Sequence, residues 1–172
     1  MQNLFAVLIS VFILSLFGKK DKKNNVTLPQ MTNTLPLLTD EQLKAAFKNL
    51  ANKYGVSIAK AVEQIYRLET AHFKSLGFKN TYGAGALGYN TPNFGWGNTN
   101  LNSYGVSKLW DYVVNGKTYH YLVFPSINLG LNFLADYLVK YSKGNDITPG
   151  IQRWGSAPGY LDKVLKVTHK FN

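Results

Sequence analysis

Glu69 lies in the run Tyr66-Arg67-Leu68-Glu69-Thr70-Ala71-His72. Apolar residues recurring at helical spacing precede it, so the run reads as the last turns of a helix. Glu69 falls close to the face that carries Ile65 and Tyr66. A carboxylate there is disfavoured in its charged form twice, by loss of water and by the negative end of the helix dipole. Both effects raise its pKa. A carboxylic acid that keeps its proton near neutrality is what protonation of a glycosidic oxygen requires. The competing reading is an ordinary surface glutamate paired with Arg67 or a nearby lysine.

Other constellations carry less. Gly83-Ala84-Gly85-Ala86-Leu87-Gly88 fits G-x-G-x-x-G, but no apolar strand leads into it and no helix start follows, so it reads as a loop. Glu69-x-x-His72 resembles half of a carboxylate di-metal site, yet Glu41 and Glu63 have no histidine three residues on. Metal catalysis is not expected, and no cofactor is. The chain has no cysteine, which excludes thiolate chemistry and disulfides. The formal charge of +10 suits an anionic partner. The cations are scattered rather than interleaved with the aromatic residues, so nucleic acid is not the expected partner.

The elements that must position Glu69 follow from periodicity. Thr39 with Gln42 forms a capping box, Leu43, Ala46, Phe47, Leu50 and Tyr54 form one face, and Gly55 stops the helix. The next helix starts at Ser57. It buries Ile58, Ala61, Val62, Ile65 and Tyr66, and is expected to reach His72 or Phe73. Residues 77–105 read as one long irregular segment, a length often associated with function. Trp110 to Phe124 is a hairpin turning at Asn115-Gly116. Ser126 opens a helix with Ile127, Leu131, Leu134, Tyr137 and Leu138 on one face, ending near Lys143-Gly144. A last helix spans about Tyr160 to Thr168. The expectation is four helices and one hairpin.

Leu4 to Phe17 is an uncharged apolar run of fourteen residues, shorter than the ~20 of a full span. No basic residue precedes it, and no small-x-small cleavage site follows. It reads as an uncleaved anchor in preference to a signal peptide. The basic run Lys19-Lys20-Asp21-Lys22-Lys23 would stay cytoplasmic by the positive-inside rule. That conflicts with a domain working outside, unless the membrane is that of a virus particle.

Taken together, residues 57–168 resemble the glucosaminidase family of peptidoglycan hydrolases, glycoside hydrolase family 73, within the lysozyme-like superfamily. Four pieces occur in family order. Ala61 to Thr70 is similar to the helix ending in the catalytic glutamate. Asn93-Phe94-Gly95 resembles an Asn-x-Phe-Gly turn. Phe124-Pro125-Ser126-Ile127 is similar to a strand leading into a helix. Trp154 to Val164 resembles the closing Y-A-x-D-P-x-Y-x-x-K-V.

The resemblance implies a groove between a helical lobe and a hairpin lobe, in which β-linkages between N-acetylglucosamine and N-acetylmuramic acid are cut. Glu69 would be the acid, and Tyr160 would line the groove near the cleaved bond. Asn93 belongs to the turn; Phe94 and Trp96 would shape the floor or rim, and Tyr89, Trp96 and Trp110 would stack on sugar rings. The chain departs from the family at Thr70-Ala71-His72-Phe73, where Ser-x-Trp-Gly is usual. Its second carboxylate is open. Asp111 is the only acid between Glu69 and Asp136; it would serve as a base or be a solvated strand residue, and the latter fits its position better. Without it, the substrate's own groups would complete the reaction, as in lytic transglycosylases.

The expected fold class is therefore α+β, mainly α: a lysozyme-like domain with a small β-hairpin lobe, preceded by an N-terminal membrane segment. The expected organisation is an anchor or signal segment at 1–18, a basic and polar linker at 19–38, and the catalytic domain at 39–172. The expected partners are glycan strands of the bacterial wall, and a membrane through residues 4–17. That places the protein at the cell envelope or in the membrane of a virus particle, of phage or mobile-element origin. The alternative expectation is a catalytically inactive wall-binding or structural membrane protein on the same fold.

Overall fold

A computed structural model describes residues 35–84, 87 and 101–171. Among these, six helices and one two-stranded antiparallel sheet form a mainly helical α+β fold. The apolar run Leu4–Phe17 lies outside the described residues, and no helix among those described is long and apolar enough to cross a membrane.

Helix α1 (Asp40–Tyr54) begins at the expected capping box: the Gln42 amide donates to Thr39 Oγ1 at 3.2 Å, and the Thr39 amide to Gln42 Oε1 at 2.8 Å. It stops at Gly55, whose φ of 87° a side chain would resist. Leu43, Ala46, Phe47 and Leu50 are its buried face. Helix α2 (Val56–Glu69) is the centre of the fold. Val62, Ile65 and Tyr66 are fully buried, and the helix packs on α1, on α4 (Ile127–Tyr141) and on α6 (Tyr160–Lys166). Close packing against α4 depends on Gly130. A Cβ there would stand 2.3 Å from the Tyr82 carbonyl oxygen and 2.8 Å from the Tyr66 hydroxyl, which itself donates to that carbonyl.

The hairpin is β1 (Lys108–Val114) and β2 (Lys117–Val123), in the register Trp110 opposite Tyr121 and Asp111 opposite His120. Asn115 and Gly116 both have positive φ, 49° and 73°, as a type I′ turn demands. The hairpin docks through β2 on α3 (Leu76–Thr81), and the Phe124 amide donates to the Thr81 carbonyl. Leu35 and Leu38, at the end of the stretch read as linker, pack against the core.

The expected outline changes in three places. Helix α2 ends at Glu69, three or four residues before the expected His72 or Phe73. Residues 77–105 are not one irregular segment, because they contain most of α3 and a 3-10 turn at Leu101–Tyr104. A sixth helix, α5 (Thr148–Trp154), stands between the last two that were expected. The hairpin, α4 and α6 follow the pattern read from the sequence, with α4 ending at Tyr141.

Candidate functional site

The site is built where α2 ends. Thr70 caps that end: it is buried, its hydroxyl donates to the Tyr66 carbonyl, and its Oγ1 accepts from the Phe73 amide at 2.9 Å. Ala71, His72 and Phe73 then take φ of 48°, 56° and 68°. Three successive non-glycine residues in the left-handed region are costly, at ~1–2 kcal/mol each. Such strain tends to collect at working sites. Two things hold the turn. The His72 amide donates to Arg67 O, and the Ser75 amide to Thr70 O, both at 2.9 Å. The turn also returns Phe73 into an aromatic cluster with Tyr66, Phe47, Phe78 and Phe171.

Glu69, the last residue of α2, is half-buried at the start of this turn. Arg67 is not its partner. Arg67 Nε donates to Glu63 Oε1 at 2.8 Å, one helical turn back, and both residues are buried. The C-terminal segment completes that pair: the Lys170 and Phe171 amides donate to Glu63 at 2.6 and 3.1 Å, and the Arg67 guanidinium lies 4.8 Å from the Phe171 ring centre. With Arg67 engaged, the hydrogen bond to Glu69 comes from Tyr160, whose hydroxyl donates to Oε1 at 2.7 Å across 91 positions of sequence.

Tyr160 opens α6 and is buried at 8% exposure. Its ring lies flat on the backbone at Gly155, where a Cβ would come within 2.3–2.4 Å of three ring carbons. Gly155 ends α5, so α5, the Gly155 backbone and the start of α6 together deliver the hydroxyl to Glu69. The far end of α6 is fastened to α2 as well, by Gln64 Nε2 donating to Val167 O at 2.9 Å.

Burial raises the Glu69 pKa above its ordinary value of 4.5, and the hydrogen bond from Tyr160 lowers it in part. Burial, followed by the negative charge of Glu69, pushes the Tyr160 phenol well above its ordinary value. Such a pair can hold and release one proton at a carboxyl oxygen, with the phenol fixed as a hydrogen-bond donor.

The remaining sequence-predicted residues stand elsewhere. Trp110 is 6% exposed and packs with Tyr121, Tyr112 and Val123 in the hairpin's own small core, so its ring is already covered by the fold. Asp111 is exposed on β1 and pairs with His120 Nδ1 at 2.6 Å. That agrees with the solvated-strand reading of it. Tyr89, Asn93, Phe94 and Trp96 lie outside the described residues. Among the described residues no three metal-ligating side chains stand together. Sequence reasoning missed Gly155, Thr70 and the Glu63–Arg67 pair. The i, i+4 spacing of Glu63 and Arg67 was the available signal for the pair, and the glycine five residues before Tyr160 was the signal for the close approach. Thr70 gave none. No protein-family model, no curated protein and no solved structure matches this chain.

Proposed function

We propose that this protein is a peptidoglycan-cleaving glycosidase of lysozyme-like kind, with Glu69 as the acid that protonates the leaving glycosidic oxygen and Tyr160 as its hydrogen-bonded partner. The observation that carries the reading is Glu69 itself: a half-buried carboxyl at a strained helix end, shifted toward its protonated form, bonded to a tyrosine and passed over by the nearest arginine. The basic charge of the chain suits an anionic wall. Asp111, exposed and tied to His120, is a poor second carboxylate, so the reading favours a route with one protein acid in which the substrate's own groups complete the reaction. The N-terminal apolar run would anchor the enzyme to a membrane.

The test uses the full-length chain in detergent, mixed with purified peptidoglycan beside Glu69→Gln, with products read by mass spectrometry. Soluble muropeptides from the parent and none from the variant are expected. Anhydromuramic ends would mark a transglycosylase, reducing glucosamine ends a glucosaminidase, and reducing muramic ends a lysozyme. If the parent releases nothing from several wall types, the enzyme reading fails. The second reading, an inactive wall-binding protein on the same fold, then stands. It is favoured by the Thr70–Phe73 turn, which lacks the tryptophan and glycine usual after such a glutamate.

A further inference from the structure

A surface patch at the junction of α4 and α5 plays no part in the proposed site. Tyr137 and Tyr141, one turn apart on α4, have ring centres 4.8 Å apart, and Trp154, the last residue of α5, meets Tyr137 edge-on at 5.0 Å. Two cations sit on this aromatic base. The Arg153 guanidinium lies 4.3 Å from the Tyr141 ring centre, and the Lys140 ammonium 5.4 Å from the same ring. Both cations are exposed, and neither belongs to an ion pair among the described residues. Asp146, the acid in the connecting loop, is held by Thr148 instead.

Two like charges at one ring repel each other, and the arrangement gains from anions drawn to the pair. A guanidinium held over an aromatic ring has lost some of its freedom already, and its N–H groups match the two oxygens of a phosphate or carboxylate. The flanking half-buried rings give the cations an aromatic floor, beside which a sugar or polyol between successive charges can lie.

We propose that the Lys140–Tyr141–Arg153–Trp154 patch binds an anionic wall polymer, a chain of sugars or polyols carrying phosphate or carboxylate groups. The choice of a wall polymer rests on the proposed function; the anion chemistry does not. The patch would hold the enzyme on its substrate layer. Trp154 adjoins Gly155, so the patch is continuous in the chain with the backbone on which Tyr160 lies.

The experiment is co-sedimentation of the full-length Glu69→Gln protein, in detergent, with insoluble bacterial walls across a range of salt. Adding Lys140→Gln and Arg153→Gln is expected to weaken retention on the order of tenfold and to flatten its salt dependence. A control pair on α1, Lys44→Gln and Lys48→Gln, should change retention less than twofold. Walls stripped of phosphodiester polymers with hydrofluoric acid separate the two sources: retention lost on stripping assigns phosphate, and retention kept assigns peptidoglycan carboxylates. The proposal is overturned if the parent does not sediment, if the patch variant is retained like the parent, or if the control pair loses as much. It is also overturned if the patch variant loses more affinity for duplex DNA than for walls. Muropeptide release by the unsubstituted chain reports cleavage separately, so failure of one claim is not failure of the other.

Discussion

Replacing Gly155 with alanine should break a hydrogen bond that Gly155 does not make. An added Cβ would sit 2.3–2.4 Å from three carbons of the Tyr160 ring, where ordinary contact begins at 3.4 Å. The ring must therefore withdraw by about 1 Å. Its hydroxyl is bonded to Glu69 Oε1 at 2.7 Å, so the same movement carries the pair beyond hydrogen-bonding reach. Two costs follow: overpacking, ~1–3 kcal/mol, and the lost hydrogen bond, ~1–3 kcal/mol across the neutral and ionised forms of the acid. Tyr160→Phe carries only the second. A double-mutant cycle separates them, because the hydrogen bond cannot be lost twice while the clash with a phenylalanine ring remains. The double variant should fall short of the sum of the singles by the worth of that bond, measured by urea unfolding. The hydroxyl's effect on kcat for muropeptide release should be lost in the same way. Strictly additive stabilities would mean that Gly155 does not position Tyr160.

Glu69→Gln should change how stability depends on pH. The folded carboxyl has its pKa raised by burial, so the folded chain binds the proton more tightly than the unfolded one. The stabilisation this gives is full below the ordinary value of 4.5 and is lost as pH rises through the raised value. Chemical denaturation across that window should show the parent losing stability relative to the glutamine variant; parallel curves would contradict it. Glu63→Ala strands the buried Arg67 charge, whose Nη2 has no hydrogen-bond partner among the described residues, and should cost ~3–5 kcal/mol by urea unfolding. Gly130→Ala drives a methyl group onto the Tyr82 carbonyl and should cost ~1–3 kcal/mol or more, seen as a lowered melting temperature. Thr39→Ala removes the α1 cap and should cost ~1 kcal/mol in the same assay.

The parts of the fold legible in the sequence are those set by local signals. Asn115-Gly116 fixes the hairpin because both residues tolerate positive φ. Thr39 and Gln42 fix the start of α1, and the apolar stripe through Ile58, Val62, Ile65 and Tyr66 fixes the buried face of α2. The end of α2 was not legible. Ala71, His72 and Phe73 carry no signal for left-handed backbone, and tertiary packing of Phe73 imposes it. Helix α3, at six residues, is too short to show a period, and α5 carries only Ile151 and Trp154 to mark one. Pro149 near the start of α5 was the one local cue. At the site, spacing alone marks Glu69. Its bond to Tyr160 spans 91 positions, which no periodicity can reach, and only the family resemblance placed the two together.

The two glutamates of α2 stand in different surroundings. Arg67 lies four positions after Glu63 and only two before Glu69, so on the helix it faces Glu63 and not Glu69. Helical geometry favours the i, i+4 choice, and the fold reinforces it by bringing the Lys170 and Phe171 amides to Glu63 and laying Phe171 against the guanidinium. Glu63 is thereby fully compensated in the interior. Glu69 is left half-buried, bonded among the described residues to the Tyr160 phenol, next to three left-handed residues. Moving Arg67 to Glu69 would stabilise the carboxylate and hold the proton less well. A cation within reach of Glu69 should therefore favour its ionised form. Tyr160→Lys, which puts an ammonium where the phenol stands, is expected to lower the pH at which Glu69 ionises, read by carboxyl NMR, and to reduce muropeptide release to the level of Glu69→Gln. Full activity with that ammonium in place would mean that the proton at Glu69 is not the one the reaction uses.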